Sequence, residues 1–158
     1  MLSRHLLFPL LVLFAATLST PAYSASPEGL WLVKDHTGRI RIEKCSDRMW
    51  GTIAWQKTPK KDDNNPNAAL RNRPLIGAAI LIGMRPSGAD RWEGDIYNPQ
   101  NGNIYKSKMA LRPSGGVLDI QGCVLGGLIC GGESWTRIAD STPGTAPKNN
   151  CAAARAGH

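Results

Sequence analysis

The chain has 158 residues, of which 42% are apolar and 20% charged, and 19 Lys and Arg against 12 Asp and Glu give it a net charge of +7. This composition is typical of a globular protein and excludes a disordered, collagenous or fibrous chain. The length excludes two full-sized domains but allows one domain with its own hydrophobic core.

The first 24 residues have the pattern of a secretory signal peptide. Arg4 and His5 form a basic start, an apolar run covers 6–18, and small residues stand at Ala22 and Ser24. The run is shorter than the ~20 residues that a membrane-spanning helix needs. We therefore expect residues 1–24 to be cleaved, no membrane span, and a soluble protein that is periplasmic, in a Gram-negative bacterium, or secreted.

The four cysteines all follow this segment, and an even number in an exported chain favours disulfides over metal ligands or catalytic thiols. Cys123 and Cys130 are too far apart for a zinc knuckle, and a bridge between them would close a short ring worth about 2.5 kcal/mol. The spacing predicts a Cys123–Cys130 disulfide. The pairing of Cys45 with Cys151 stays open at this point because Cys151 lies in a tail.

Alternation with period two, interrupted by turns, dominates the rest of the chain. In 105–109 it predicts that Tyr105 and Met109 face inward while Lys106 and Lys108 face solvent. Eight segments have strand character: 29–34, 39–45, 49–56, 75–83, 91–97, 103–111, 117–124 and 132–138. Turn compositions separate most of them, at 35–38, 85–88, 98–102 and 112–116.

Short connections place consecutive strands side by side, and eight antiparallel strands must hide their edges. These features predict an all-β fold, a small eight-stranded antiparallel up-and-down barrel, over residues 25–139. The tail, 140–158, is rich in Ser, Thr, Pro, Gly and Ala and is expected to be disordered.

Residues 57–74 form a polar connection longer than compact domains usually contain without a functional reason. Asp63, Asn65 and Asn67 imitate the start of a calcium-binding loop, but Ala68 and Pro74 stand where that loop needs Gly and Glu, which argues against calcium. The sequence contains no other metal or cofactor motif, so we expect no cofactor.

A structural role for the same loop is the alternative to ligand contact. Asp62 or Asp63 could pair with Arg71 or Arg73 and hold the loop closed. A loop over one end of a barrel could serve both roles.

Catalytic patterns are weak. His36 is the only His in the folded part and falls in a turn, so a His-based triad has no support. Glu93 and Asp95 share one face of a strand, where carboxylates usually face solvent and pair with a neighbour such as Lys106, although a glycosidase-like pair is conceivable. We expect no catalytic residues.

The positive charge is scattered rather than clustered, which does not favour nucleic acid as a partner. Trp31, Trp55 and Trp135 lie in apolar strands and are predicted to be core residues rather than a stacking platform for bases.

Gly29-x-Trp31 in the first strand, with Arg137 shortly after Trp135 in the last, resembles the signature of lipocalins and related calycin barrels. The resemblance implies that Gly29, Trp31, Trp135 and Arg137 close one end of the barrel, with the guanidinium over the indole face.

The mature chain is also similar to a bacterial family known as domain of unknown function 2147. The matching motifs are Gly29-x-Trp31, Ile42-x-x-Cys45, Gly51-x-Ile53, Asp62-x-x-Asn65-Pro66, Arg71-x-Arg73-Pro74-Leu75-x-Gly77, Trp92-x-Gly94-x-Ile96-Tyr97-Asn98-Pro99-x-x-Gly102-x-x-Tyr105, Leu118-x-Ile120-x-Gly122 and Trp135-Thr136-Arg137. The resemblance implies an exported bacterial protein with a lipocalin-like barrel and supplies no activity. Family members often carry a second Cys at the position of Trp50, so Cys45 is either free or tied to Cys151.

The leading hypothesis for function is a monomeric module in the cell envelope that binds a small apolar or amphipathic ligand inside the barrel. Candidate lining residues are Ile42, Ile53, Trp55, Tyr105, Met109, Leu118 and Ile120. Candidate binding residues are Asp62, Asn65, Arg71, Arg73, Tyr97 and Tyr105. The alternative is a structural or interaction protein with a filled barrel that binds an envelope protein through 57–74. A hydrolase is the third hypothesis.

Overall fold

The computed structural model describes residues 26–141, 144 and 151. The predicted signal peptide lies outside the described residues, as does most of the predicted tail. In the described part, no helix has the length and apolar character needed to cross a membrane.

Eight antiparallel strands form a closed barrel in which each strand pairs with the next and the last pairs with the first. The strands are β1 Gly29–Leu32, β2 Gly38–Cys45, β3 Arg48–Gln56, β4 Ala79–Gly88, β5 Arg91–Asn98, β6 Asn103–Leu111, β7 Val117–Val124 and β8 Ile129–Ile138. The predicted up-and-down barrel is therefore confirmed.

Strand β6 shows how the alternation of the sequence produces this barrel. Met109 is buried and Tyr105 is half-buried, whereas Lys106 and Lys108 are exposed. Lys106 pairs with Asp95 of β5, with 2.7 Å between Nζ and Oδ1. Since successive side chains of a strand point to opposite faces, this pairing places the carboxylate of Asp95 on the outer face.

The predicted bounds of the fourth strand, 75–83, are wrong. Residues 75–78 form a tight turn in which Ala78 N donates to Leu75 O, and the strand continues through the predicted turn at 85–88. Pro86 is tolerated there because β3 pairs with β4 only as far as Met84, so the missing N–H breaks no bond on that side. The last strand also begins earlier than predicted, at Ile129, because Ile129 still pairs with Val124.

The prediction that Trp55 belongs to the core is also wrong. Arg39 pairs with Trp55 while the next residue, Ile40, pairs with Ile53, so a bulge at Ala54 shifts the register by one residue. Such a bulge turns the following side chain to the other face of the sheet. Trp55 is half-buried on the outer surface, where the Arg39 guanidinium lies 4.3 Å from the ring centroid.

The two ends of the barrel differ. The connections after β1, β3, β5 and β7 lie at one end, which we call the open end. The connections after β2, β4 and β6 lie at the other, which we call the closed end. In the half near the closed end, buried side chains fill the interior; they are Trp31, Ile42, Met84, Trp92, Met109, Leu111 and Leu118.

Arg137 covers the indole of Trp31 at the closed end. The guanidinium carbon lies 4.3 Å from the ring centroid, a cation–π geometry. The three guanidinium nitrogens donate, at 2.6 to 2.7 Å, to the backbone carbonyls of Ser26, Glu28 and Gly115. Gly29, with φ of 132°, leaves the room for this contact, because a Cβ there would lie 2.7 Å from Arg137 Nη1.

Candidate functional site: a cavity at the open end

The half of the barrel near the open end contains a cavity of about 520 Å³ that opens to the surface. Its wall is largely apolar, with one isoleucine from each of six strands: Ile40, Ile53, Ile80, Ile96, Ile120 and Ile129. Loop residues at the open end, including Thr37, Pro99 and Gln100, border it as well. The volume falls in the range of roughly 300 to 1,000 Å³ that is usual for small-molecule sites.

Glu133, on strand β8, contributes a carboxylate to the wall of this cavity. It pairs with Ile120 across the sheet, so both side chains share the inner face. Trp135 Nε1 donates a hydrogen bond to Glu133 Oε1, which fixes the carboxylate beside the indole. Gly131 and Gly132, which precede Glu133, add no side chain to the wall, so this side of the cavity is wide.

Tyr105 supplies a second polar group to the same cavity. Its hydroxyl accepts hydrogen bonds from Asn101 Nδ2 at 2.8 Å and from Asn103 Nδ2 at 3.3 Å. Both asparagines belong to or border the β5–β6 turn at the open end. The phenol is thereby oriented by the rim of the barrel.

The two ends of the loop between β3 and β4 are hydrogen-bonded to each other. Lys61 and Pro74 form an isolated β-bridge, and Asp62 N donates to Arg73 O at 3.1 Å. Asn67 then caps a short 3₁₀ turn over Ala68–Leu70 by accepting from Ala69 N at 3.1 Å. The loop is therefore an ordered structure.

Asp62 is the centre of a hydrogen-bond network inside this loop, and its side chain is fully buried. Oδ2 accepts from Arg73 Nε at 2.9 Å, from Arg73 Nη2 at 2.8 Å and from Asn65 Nδ2 at 2.8 Å. Oδ1 accepts from the hydroxyl of Tyr97 on β5. Arg71 Nε donates to Asn65 O at 2.8 Å. The network ties the loop to the barrel wall through Tyr97.

The network changes the pKa values of its two acids in opposite directions. Burial on its own raises the pKa of Asp62, but hydrogen bonds from Tyr97, Asn65 and Arg73 outweigh it and hold the pKa below its ordinary value. Burial, together with the hydrogen bond to Asp62, raises the pKa of Tyr97 to about 12. At neutral pH the network therefore contains a carboxylate and a protonated phenol.

A second set of contacts fixes the loop to the β5–β6 turn. Asn64 Nδ2 donates to Pro99 O at 3.1 Å and to Gln100 O at 2.9 Å. Gly102, with φ of 73°, packs so closely that a Cβ would lie 1.9 Å from Asn64 O. A glycine is needed there both for the left-handed backbone and for the close approach.

The structure brings five of the six predicted binding residues into one network: Asp62, Asn65, Arg71, Arg73 and Tyr97. Tyr105 lies apart from this network. Tyr97 and Tyr105 line the cavity, whereas the other four point their hydrogen-bonding groups into the loop.

Of the predicted lining residues, Ile53, Tyr105 and Ile120 border the cavity. Ile42, Met109 and Leu118 lie in the filled half, and Trp55 lies on the outer face. Sequence reasoning missed Glu133, although the period-two pattern of β8 puts it on the same face as Trp135, two residues later.

Two disulfides are present. Cys123 and Cys130 are cross-strand neighbours with Cα atoms 4.1 Å apart at the end of β7 and the start of β8. Cys45, at the end of β2, is bonded to Cys151, which answers the question that the sequence left open. No three His, Cys, Asp or Glu side chains in the described part of the chain cluster so as to hold a metal ion.

The fold is similar to that of a solved structure, protein HP1028 from Helicobacter pylori, which is described as belonging to the lipocalin family. The two share 20% sequence identity with a TM-score of 0.70, over 79% of this chain and 93% of the other. No curated protein matches the chain. The sequence profile of the uncharacterised proteins conserved in bacteria, DUF2147, matches residues 29–137. The chain therefore belongs to the DUF2147 family and has a lipocalin-like barrel.

Proposed function

We propose that the protein binds a small amphipathic molecule in the open half of its barrel. The observation that carries this proposal is the cavity of about 520 Å³ with its isoleucine wall, which contrasts with the filled closed half of the same barrel. A folded protein normally packs its interior to high density, so a cavity of this size is a feature that needs a reason. An apolar ligand body provides that reason.

The polar groups of the cavity indicate the rest of the ligand. Glu133 has a second carboxylate oxygen, and an ionised carboxylate accepts several hydrogen bonds. An amine or another strong hydrogen-bond donor on the ligand would complete its partners beside the indole of Trp135. The preferred ligand is therefore an alkyl or ring body that carries a cationic or donor group.

Asp62, Asn65, Arg71 and Arg73 act on binding indirectly in this proposal. Their hydrogen-bonding groups hold the long loop against Tyr97 and the β5–β6 turn, and this keeps one side of the cavity mouth in place. Tyr97 and Tyr105 contact the ligand directly.

We also propose that the protein works outside the cytoplasm, as a periplasmic or secreted protein. Two disulfides join all four cysteines, and disulfides persist in oxidising compartments. The signal-like segment 1–24 supports the same location. Mass spectrometry of the exported protein, before and after alkylation, checks the cleavage and the disulfides. We expect residues 1–24 to be missing and no thiol to be labelled.

The binding proposal is tested by filling the cavity. Gly131 borders the cavity, and a Cβ there would meet no atom within 4 Å, so Gly131→Phe adds a ring without displacing the backbone. We expect uptake of the fluorescent probe N-phenyl-1-naphthylamine by the wild type and a loss of at least about tenfold in its affinity for the variant. Thr136→Phe, which places the same ring at an exposed position of the same strand, is the matched control. Equal probe binding by G131F and the wild type would refute the proposal.

Glu133→Gln tests the proposed ligand class. The amide keeps the size of the side chain and an oxygen for Trp135, but it removes the charge. We expect the affinity for dodecylamine to fall about tenfold, while the affinity for dodecanol changes little. Equal losses for both molecules would show that the carboxylate does not select a cation.

A further inference from the structure

The three most exposed large apolar side chains of the described part, Leu125, Leu128 and Ile129, lie beside the cavity mouth where β7 is joined to β8. Val124, Leu125, Leu128 and Ile129 are 41%, 69%, 85% and 59% exposed, and we call these four residues the apolar tip. Ile104 of β6, which is 50% exposed, borders the same surface hollow as Val124 and Leu125. A contiguous apolar surface of this kind marks an interaction site.

We propose that the apolar tip inserts into the surface of a lipid bilayer that contains anionic lipids. The tip projects from the open end as a short hairpin without a charged residue, and a hairpin of that shape can enter the acyl boundary while the barrel stays outside.

The hairpin is stapled at its base. The Cys123–Cys130 disulfide joins its two strands directly below the tip, and Val124 pairs with Ile129 above it. Leu125 has φ of 51°, in the left-handed region that a bulky residue rarely occupies. A backbone conformation that is costly on its own persists where the surroundings impose it. Here the staple holds the apolar side chains of the tip outward at a defined position.

The charge of the open end identifies the partner. Its four connections carry six cations and three carboxylates, a net charge of +3; the cations are Lys34, Lys57, Lys60, Lys61, Arg71 and Arg73, and the carboxylates are Asp35, Asp62 and Asp63. All four lysines are exposed. Lysines near a membrane surface are attracted to anionic headgroups, whereas a second copy of this chain would bring two positive surfaces together. The combination of an apolar tip and a basic rim therefore favours an anionic bilayer.

The apolar tip adjoins the proposed ligand cavity, so this part of the inference rests on the proposed function. Val124 and Ile129 line the cavity as well as forming part of the tip. A bilayer that covers the tip would therefore adjoin the cavity mouth, and an amphipathic ligand could pass between the two without crossing water.

The test is co-sedimentation with vesicles of phosphatidylethanolamine and phosphatidylglycerol. The double variant Leu125→Ser, Leu128→Ser removes the two most exposed side chains, neither of which lines the cavity. We expect its vesicle affinity to fall at least about tenfold below that of the wild type. The matched control, Leu125→Met with Leu128→Met, keeps the apolar character and should bind as the wild type does. All proteins are compared in the same form, with the N-terminus checked by mass, so that residues 1–24 contribute equally.

A second set of measurements tests whether the positive charge of the open end contributes to vesicle binding. Lys57→Gln, Lys60→Gln and Lys61→Gln together should weaken binding to the anionic vesicles, and added salt should weaken wild-type binding in the same way. Vesicles of pure phosphatidylcholine should bind the wild type more weakly.

Three results would overturn the proposal: no sedimentation of the wild type with anionic vesicles, equal binding by the serine variant, or a wild-type dimer that the serine variant breaks without any vesicle binding. The last result would assign the tip to a second copy of the chain. G131F, which fills the cavity, should still bind vesicles. Failure of the membrane proposal therefore leaves probe binding intact, and failure of the ligand proposal leaves vesicle binding intact.

Discussion

The closed and open ends of this barrel are built from the same eight strands but by different physical means. At the closed end, large and fully buried side chains such as Trp31 and Leu118 occupy the interior, and Arg137 covers the indole of Trp31. At the open end the interior contains a cavity, and the buried carboxylate of Asp62 fixes a long loop beside it. The difference shows that one barrel can combine a packed core with a preformed cavity if polar contacts, rather than packing, hold the surrounding loops.

The two ends should respond differently to mutation because burial stabilises one and hydrogen bonding the other. A filled core loses both transfer free energy and packing contacts when a side chain is shortened. A side chain in a cavity wall already lacks neighbours on one side, so shortening it removes few packing contacts. A buried carboxylate network, by contrast, is sensitive to the removal of a single partner.

The largest expected effect is at the closed end. Leu118→Ala should lower the free energy of unfolding by about 3 to 5 kcal/mol, because Leu118 is fully buried in the filled half. Ile80→Ala, in the cavity wall, should cost only about 1 to 2 kcal/mol. Urea denaturation of both variants measures the difference. Equal losses would mean that the two halves are packed alike.

The next largest effect concerns the loop network at the open end. Asp62→Ala leaves the guanidinium of Arg73 and the hydroxyl of Tyr97 without their buried partner and should cost about 3 kcal/mol. Asp63→Ala is the matched control, since Asp63 is the exposed neighbour and should change the free energy of unfolding by less than about 0.5 kcal/mol. If both variants unfolded at the same urea concentration, the network would not stabilise the fold.

The smallest expected effect near neutral pH is an alkaline pH dependence of stability at the open end, because it appears only above pH 10. The pKa of Tyr97 is raised from 10.0 to about 12 in the folded protein. The resulting stabilisation is complete below pH 10 and is lost as the pH rises from 10 to 12, by at most about 3 kcal/mol. The stability advantage of the wild type over Tyr97→Phe should therefore shrink across that interval in denaturation experiments. Parallel curves for the two proteins would show that the phenol does not titrate with a raised pKa.

Much of the fold could be predicted from sequence because local patterns and barrel geometry agree in most strands. The sequence predicts strand β6 with its observed bounds, 103–111, because its alternation is regular and turns flank it. The sequence misplaces the fourth strand because Pro86 and Gly88 are turn residues in most contexts. Here they extend β4 beyond its pairing with β3. Periodicity assigns Trp55 to the wrong face because a single bulge at Ala54 reverses the alternation, and a bulge leaves no mark in the sequence pattern.

The candidate site was harder to predict, for a physical reason. The sequence pointed to the 57–74 loop and allowed a pairing between its acids and its arginines, and Asp62 with Arg73 forms that pairing. It could not reveal that Tyr97, distant in sequence, donates to the same carboxylate. The cavity itself is an absence of side chains at a particular height in the barrel, which depends on strand register and on where the glycines of β8 fall.

By itself, the sequence determined the number of strands, their antiparallel order and the barrel, because these follow from alternation, turn residues and the need to close sheet edges. Only the tertiary structure decided which end of the barrel is filled and which contains the cavity. It also decided that Glu133 and the apolar tip lie at the same cavity mouth. Those features depend on register, bulges and contacts between residues far apart in the chain, and no local pattern encodes them.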